Sequence, residues 1–505
     1  MRSFNMTAAR KSLDTGKPAL IWRKQVADTE TPVSAALKLM ESDRGDFLLE
    51  SVEGGETRGR HSLIGLAPDL VFRADGEQAS INPNWLTDRD SFEPEQEGSL
   101  AALRTLVKRC QMDVPEGLPR ALACLVGYFG YETIGLVEKL PRAPQSELNL
   151  PDMLFVRPTV IVIFDRLADE MFLVAPVWPE TSGDTDSKIA AAEERLDEVE
   201  RQMAAPVPAM ASARHDLDPD DLNFEVKLKP EQYKDMVLSA KDYIEAGDIF
   251  QVVLAQRFTA PFALPPVELY RALRRINPSP FLFFLDLPGF SLIGSSPEIL
   301  VRARDGEVTI RPIAGTRPRG ANAAEDKSNR DSLLADPKER AEHLMLLDLG
   351  RNDVGRVSSA NSVEVTDSYT VEFYSHVMHI VSNVVGELAP DKDALDALFA
   401  GFPAGTVSGA PKVRACQVIA ELEPETRGAY AGGVGYFSPD GSMDSCIVLR
   451  TGIVKDGTLH VQAGAGIVAD SDPAYELREC EAKSGALLAA AKEAVRRAQD
   501  IGFGQ

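Results

Sequence analysis

A chain of 505 residues, 44% hydrophobic and 26% charged, can bury a large core, and without a run of eighteen apolar residues it offers no membrane-spanning helix. Its five cysteines are scattered and form no CxxC pair, which argues against a disulfide framework and a thiolate metal site. The net charge of −23 disfavours nucleic acid and anionic lipid as partners, and it obliges any site for an anion to reverse the field locally with arginines, backbone N–H groups or a metal.

In chain order, residues 1–17 read as a loose polar tail with no secretory-type apolar stretch, and a cytoplasmic protein is expected. Residues 18–204 form an N-terminal region in which DFLLESV (46–52), HSLIGLAP (61–68), ALACLVGYFGYE (121–132) and TVIVIFD (159–165) read as strands. Helical spacing with a heavily charged face over 187–204 predicts a solvated surface helix or arm. The Pro-, Ala- and Asp-rich stretch at 205–225 is the expected linker, and 226–498 the second region. There, Pro230 and Gly247 bracket a helix. Strands follow at 249–259, 281–287, 290–295 and 298–304, then turn-rich segments, helices near 336–350 and 410–422, and a last helix over 473–498. Hairpin-like pairs outnumber βαβ units, so the fold class is α+β, with large antiparallel sheets flanked by helices.

Several residues carry chemical interest. Glu339 and Glu342 on one helix, and Glu476 and Glu479 on another, have the i, i+3 spacing that puts two carboxylates on one face. Such hard oxygen donors suit Mg²⁺, although most such pairs are ordinary solvated glutamates. Gly464, Gly466 and Ala469 imitate a dinucleotide fingerprint, but the next helix starts too late to face a pyrophosphate. A backbone nest for a carboxylate or a plain tight turn fits better. Arg450 stands in an apolar strand, where a charge needs an anion or a fixed carboxylate. His379 lies among apolar neighbours, either as a satisfied core residue or as a site residue.

Taken together, AGTRPRG (314–320), EHLMLLDLGRND (342–353), AGTVSGAPKVRA (404–415) and QAGAGIV (462–468) resemble the chorismate-binding enzymes over about 230–495. Residues 20–170 resemble the N-terminal region of anthranilate synthase large subunits. The resemblance implies addition of ammonia to chorismate and loss of pyruvate, giving anthranilate. It implies Mg²⁺ held by Glu342 and Glu479, with Glu339 and Glu476 beside them. It implies substrate contacts from Tyr430, Arg450, Gly464, Ala465 and Gly466 on the enolpyruvyl side, and from Gly315 and Thr316 on the ring-carboxylate side. Glu298 would be the general acid for the departing C4 hydroxyl. His379 would assist near that hydroxyl or in pyruvate elimination, and Thr406 would hydrogen-bond substrate. Water-adding relatives carry a lysine where Gln251 stands, and aminodeoxychorismate synthases a lysine where Ala314 stands, so neither chemistry is implied here.

The motifs LLES (48–51) and NPSPFLFF (277–284) resemble a feedback site for L-tryptophan, lined by Ser51, Asn277, Pro280, Phe281 and Leu282. The residues after 495 are too few for a glutaminase, so ammonia is expected from a separate glutamine amidotransferase subunit in a hetero-oligomer. The alternatives are an aminodeoxychorismate synthase large subunit and a non-catalytic tryptophan-binding regulatory homologue, with a nucleotide-binding dehydrogenase a distant third.

Overall fold

The computed structural model describes residues 6–53, 57–208, 218–220, 222–374 and 377–499. Two 12-stranded antiparallel sheets form its frame, as the α+β reading expects. The first runs in the order Ala19–Val26, Glu170–Val177, Val160–Asp165, Thr57–Leu66, Asp46–Glu53, Phe281–Leu287, Phe290–Ser296, Thr451–Lys455, Thr458–Ile467, Gln251–Pro261 and Glu225–Val226, with Gly409–Ala410 pairing off this path. In the second, Ile313–Pro318 and Val377–Glu387 stand at one end, and Gly433–Phe437 lies between Met443–Ile447 and Leu125–Phe129.

Both sheets draw strands from either side of the 205–225 stretch, part of which (209–217 and 221) lies outside the described residues. Phe281–Leu287, for example, is hydrogen-bonded between Asp46–Glu53 and Phe290–Ser296. Strand pairing is decided by matching ladders and apolar faces rather than by distance along the chain, so this stretch separates segments of sequence and not sheets. Strands Met153–Arg157 and Val160–Asp165 are buried at every position, which accounts for their unbroken apolar runs.

Two elements differ from expectation, and a third decides between two expected alternatives. Within the supposed tail, Met6–Asp14 is a helix whose Ala9 and Leu13 are buried against Ala19–Val26 and helix Thr185–Ala204, while residues 1–5 lie outside the described residues. Helix Thr185–Ala204 is the surface helix of the two alternatives and not an arm: Ile189, Ala192, Leu196, Val199 and Met203 form a buried stripe on Glu170–Val177 beneath its exposed charged face. Ala323–Ala335, expected to be turns, is a helix capped by Asn322; it buries only Leu333, so it has no apolar period to betray it.

The elements that position the site are well defined by local chemistry. Helix Pro337–Gly355 starts where Pro337 fits its first turn and where the Asp336 carboxylate accepts from the Lys338 and Glu339 N–H groups. Such a cap is worth about 1 kcal/mol. The helix packs on Ile313–Pro318 and Val377–Glu387, while helix Pro473–Gln499 packs on Thr458–Ile467.

Candidate active site

The two acidic helices bring their glutamates within electrostatic reach of one another. Glu339 pairs with Arg317 at 2.7 Å, and Arg317 also holds Asp336 at 2.7 Å. Glu479 pairs with Lys483 at 2.8 Å, and the Lys483 ammonium donates to the Gly464 carbonyl at 2.9 Å. Burial raises the Glu342 pKa, and the like charges of Glu339 and Glu479 add to the rise. Burial likewise raises Glu476, with Glu479 adding. The four carboxyls therefore share one electrostatic neighbourhood, although no three His, Cys, Asp or Glu groups form a ready-made metal cluster among the described residues. A set of crowded, partly buried hard oxygens is the donor chemistry that a Mg²⁺ ion satisfies, so the residues fit that ion.

Across from them, Thr458–Ile467 pairs with Gln251–Pro261, Gly466 opposite Val253 and Gly464 opposite Ala255. Gly464, Ala465 and Gly466 are thus residues of a regular strand, and neither the expected nest nor a tight turn is formed. The G-x-G spacing has a packing cause instead. Side chains two apart share a sheet face, and on that face a methyl at Gly464 would come within 2.9 Å of the Tyr430 hydroxyl, and one at Gly466 within 2.7 Å of the Gln251 amide. The Gln251 Oε1 is buried without a partner.

His379 stands on Val377–Glu387, opposite Thr316. Its Nδ1 lies 2.9 Å from the Gly315 carbonyl and 3.2 Å from the Thr316 hydroxyl. A carbonyl can only accept, so Nδ1 carries the proton and Nε2 keeps a free lone pair. Gly315 (φ +69°) forms a bulge, and a methyl there would approach Glu339 to 2.9 Å, which ties the histidine to the acidic side. Burial lowers the His379 pKa and the Arg450 charge lowers it further, so the ring is neutral at pH 7.

Glu298 is 7% exposed, and the Thr406 hydroxyl donates to its carboxyl at 3.1 and 3.2 Å. Burial pushes its pKa up to about 8, with Thr406 opposing, so at neutrality this acid is protonated. Arg450 is not within a strand as expected but at the bend between Met443–Ile447 and Thr451–Lys455, where its φ of +48° breaks the extended backbone; it stays cationic, although burial lowers its pKa with only Tyr374 opposing. No carboxylate is ion-paired with its guanidinium among the described residues, which leaves that charge available for an anion.

The sequence reading missed Tyr374, Arg317 and Lys483. Tyr374 packs edge-on against His379 at 5.4 Å and lies within electrostatic reach of Glu298 and Arg450. Lys483 follows Glu479 at i+4, a spacing that could have flagged it. Nothing in the sequence marks Tyr374, because its role depends on which strands meet.

A family model described as chorismate binding enzyme matches residues 45–489. The chain belongs to the chorismate-binding enzyme family. It is 49% identical to anthranilate synthase component 1 of Cereibacter sphaeroides over 97% of each chain. It is 45% identical to the component 1 of Thermus thermophilus, over 93% of this chain and 97% of that one. Among solved structures it is similar to anthranilate synthase component I from Streptococcus pneumoniae (37% identity, TM-score 0.74, 85% of this chain and 92% of that one). The menaquinone-specific isochorismate synthase of Escherichia coli shares the fold (18% identity, TM-score 0.68, 96% and 99% covered).

This chorismate-binding enzyme has a cavity of about 750 Å³ between its sheets. Ser51, Pro280, Phe281 and Leu282 line it, as do Tyr374 and Tyr436. Ser51 stands opposite Phe281 in the sheet. Asn277 is not among the lining residues; it caps helix Pro266–Ile276, with its Nδ2 buried and unpartnered. Beside Ser51, the buried Glu50 carboxylate accepts from Tyr270 at 2.5 Å, from Arg274 at 3.0 Å and from Arg166.

Proposed function

We propose that this chain is the chorismate-using subunit of an anthranilate synthase, converting chorismate and ammonia to anthranilate, pyruvate and water. The observation that carries the reading is Glu298, a buried carboxyl kept protonated at neutral pH; Tyr374 links it electrostatically to the unpaired Arg450 and packs on the neutral His379. That set supplies an acid, an anion anchor and a base. Ammonia adds at C2 as the C4 hydroxyl departs, and a proton from Glu298 lets the hydroxyl leave as water. Loss of the C2 proton, to which the free Nε2 of His379 is suited, then breaks the C3–O bond. Protonation of the enolpyruvyl methylene releases pyruvate and leaves the aromatic amine.

Arg450, Tyr430 and the backbone of Gly464, Ala465 and Gly466 hold the enolpyruvyl carboxylate, while Gly315, Thr316 and Thr406 orient the ring. Mg²⁺, held by Glu342 and Glu479 with Glu339 and Glu476 beside them, supplies positive charge for the ring carboxylate. Ala314 offers no amine nucleophile. The unpartnered Gln251 oxygen can accept from an N–H of ammonia but cannot deprotonate water.

Two further parts of the reading concern supply and control. Ammonia comes from a separate glutamine amidotransferase subunit, and L-tryptophan binds in the cavity lined by Ser51, Pro280, Phe281 and Leu282, with Asn277 at its margin. The test is product identification from chorismate, Mg²⁺ and ammonium with the isolated chain. Anthranilate should form, and glutamine should not replace ammonium. Formation of 4-aminobenzoate would assign the chain to the aminodeoxychorismate route, and no turnover at all would make it a regulatory homologue.

A further inference from the structure

One strand links the margin of the Ser51–Phe281 cavity to Arg450. Ser295 is fully buried at the end of Phe290–Ser296. Its hydroxyl donates to the backbone carbonyl of Asn277, and its N–H donates to the carbonyl of Arg450 at 3.2 Å. Arg450 has φ +48°, a left-handed conformation that a residue with a side chain holds only when its surroundings impose it. The next residue, Ser296, stands opposite Phe281, which stands opposite Ser51, and Ser296 precedes Pro297 and Glu298.

One residue thus grips the cap of the helix at the cavity's margin with its side chain and the backbone of the anion anchor with its amide. A strained residue has a relaxed alternative nearby, so a small displacement of its support selects between two discrete arrangements. A ligand that seats against Phe281 lies beside the chain that leads back through Pro280 to Asn277, whose amide is unpartnered and whose carbonyl Ser295 holds.

We propose that Ser295 is the positioning residue that couples occupancy of the Ser51–Phe281 cavity to the placement of Arg450. This rests on the tryptophan reading of the cavity given above. Replacing Ser295 with alanine keeps the N–H on Arg450 and removes only the tie to Asn277. The readout is the ratio of the chorismate KM with saturating L-tryptophan to that without it, with L-tryptophan affinity measured by calorimetry.

For the unaltered chain the ratio should be on the order of tens, a typical coupling between sites. For Ser295→Ala it should fall to within about twofold of one while calorimetry still detects tryptophan. An unchanged ratio in Ser295→Ala overturns the coupling, and so does complete loss of tryptophan binding, which would make Ser295 part of the pocket itself. A ratio of one in the unaltered chain would instead sink the tryptophan reading. Should the alanine variant not fold, Ser295→Cys carries the same test: its thiol is a weak donor, so a ratio below about half the unaltered value supports the proposal and an equal ratio overturns it.

Discussion

Replacing Glu298 with glutamine should stabilise the protein while removing its activity. The amide has the shape of the protonated acid and can still accept from the Thr406 hydroxyl, so the packing survives. In the native protein the carboxyl has a pKa of about 8, against an ordinary value of 4.5, so the folded chain keeps a proton that the unfolded chain releases. Because the folded-state value is the higher one, stability from this group is full below 4.5 and is lost as pH rises towards 8. At pH 7, about two and a half units above the ordinary value at about 1.4 kcal/mol each, the cost is about 3 kcal/mol. The glutamine variant escapes it. Its urea midpoint should therefore exceed that of the unaltered chain at pH 7, and the gap should close as pH approaches 4.5. Its turnover with ammonium should fall by roughly 10²–10⁴, the usual worth of a positioned proton donor. Turnover by the unaltered chain should decline as pH rises through about 8, where the acid form is lost. A midpoint gap independent of pH, or a variant that keeps its kcat, would refute the assignment of Glu298 as a buried neutral acid.

Gly464→Ala drives a methyl to 2.8 Å from the Leu254 carbonyl and 2.9 Å from the Tyr430 hydroxyl, and steady-state kinetics should show the chorismate KM raised about tenfold or more in a folded protein. Chelation should abolish turnover and added Mg²⁺ restore it; Glu342→Gln and Glu479→Gln should each shift the Mg²⁺ requirement upward by about tenfold or more, and normal metal dependence in both would remove them as ligands. Arg427, 1% exposed, donates to Glu423 and to the Val407 and Val253 carbonyls. Arg427→Met strands that buried acid and should cost about 3–5 kcal/mol in thermal or urea denaturation.

Much of the architecture was readable from local pattern. Unbroken apolar runs such as Val160–Asp165, hairpin spacing over Phe281–Ser296 and the Pro-led helices at Pro230 and Pro337 each carry their own signal, because period, caps and turn residues act over a few positions. Where the local signal was absent the reading failed. Ala323–Ala335 has a single buried side chain, and Met6–Asp14 has only two, so neither shows a stripe wide enough to read. The glycines at 464 and 466 looked like a loop because the groups that require them, Tyr430 and Gln251, come from elsewhere in the chain.

By itself the amino-acid order determined which residue types were available: acid pairs on two helices, an arginine among apolar residues, and no lysine at Ala314 or Gln251. Those follow from composition and spacing, which a single segment contains. Only the tertiary structure decided that Glu298 is neutral, that His379 keeps Nε2 free, and that Ser295 touches both Asn277 and Arg450. Protonation and strain depend on what surrounds a group, and here those surroundings are assembled from strands far apart in the chain.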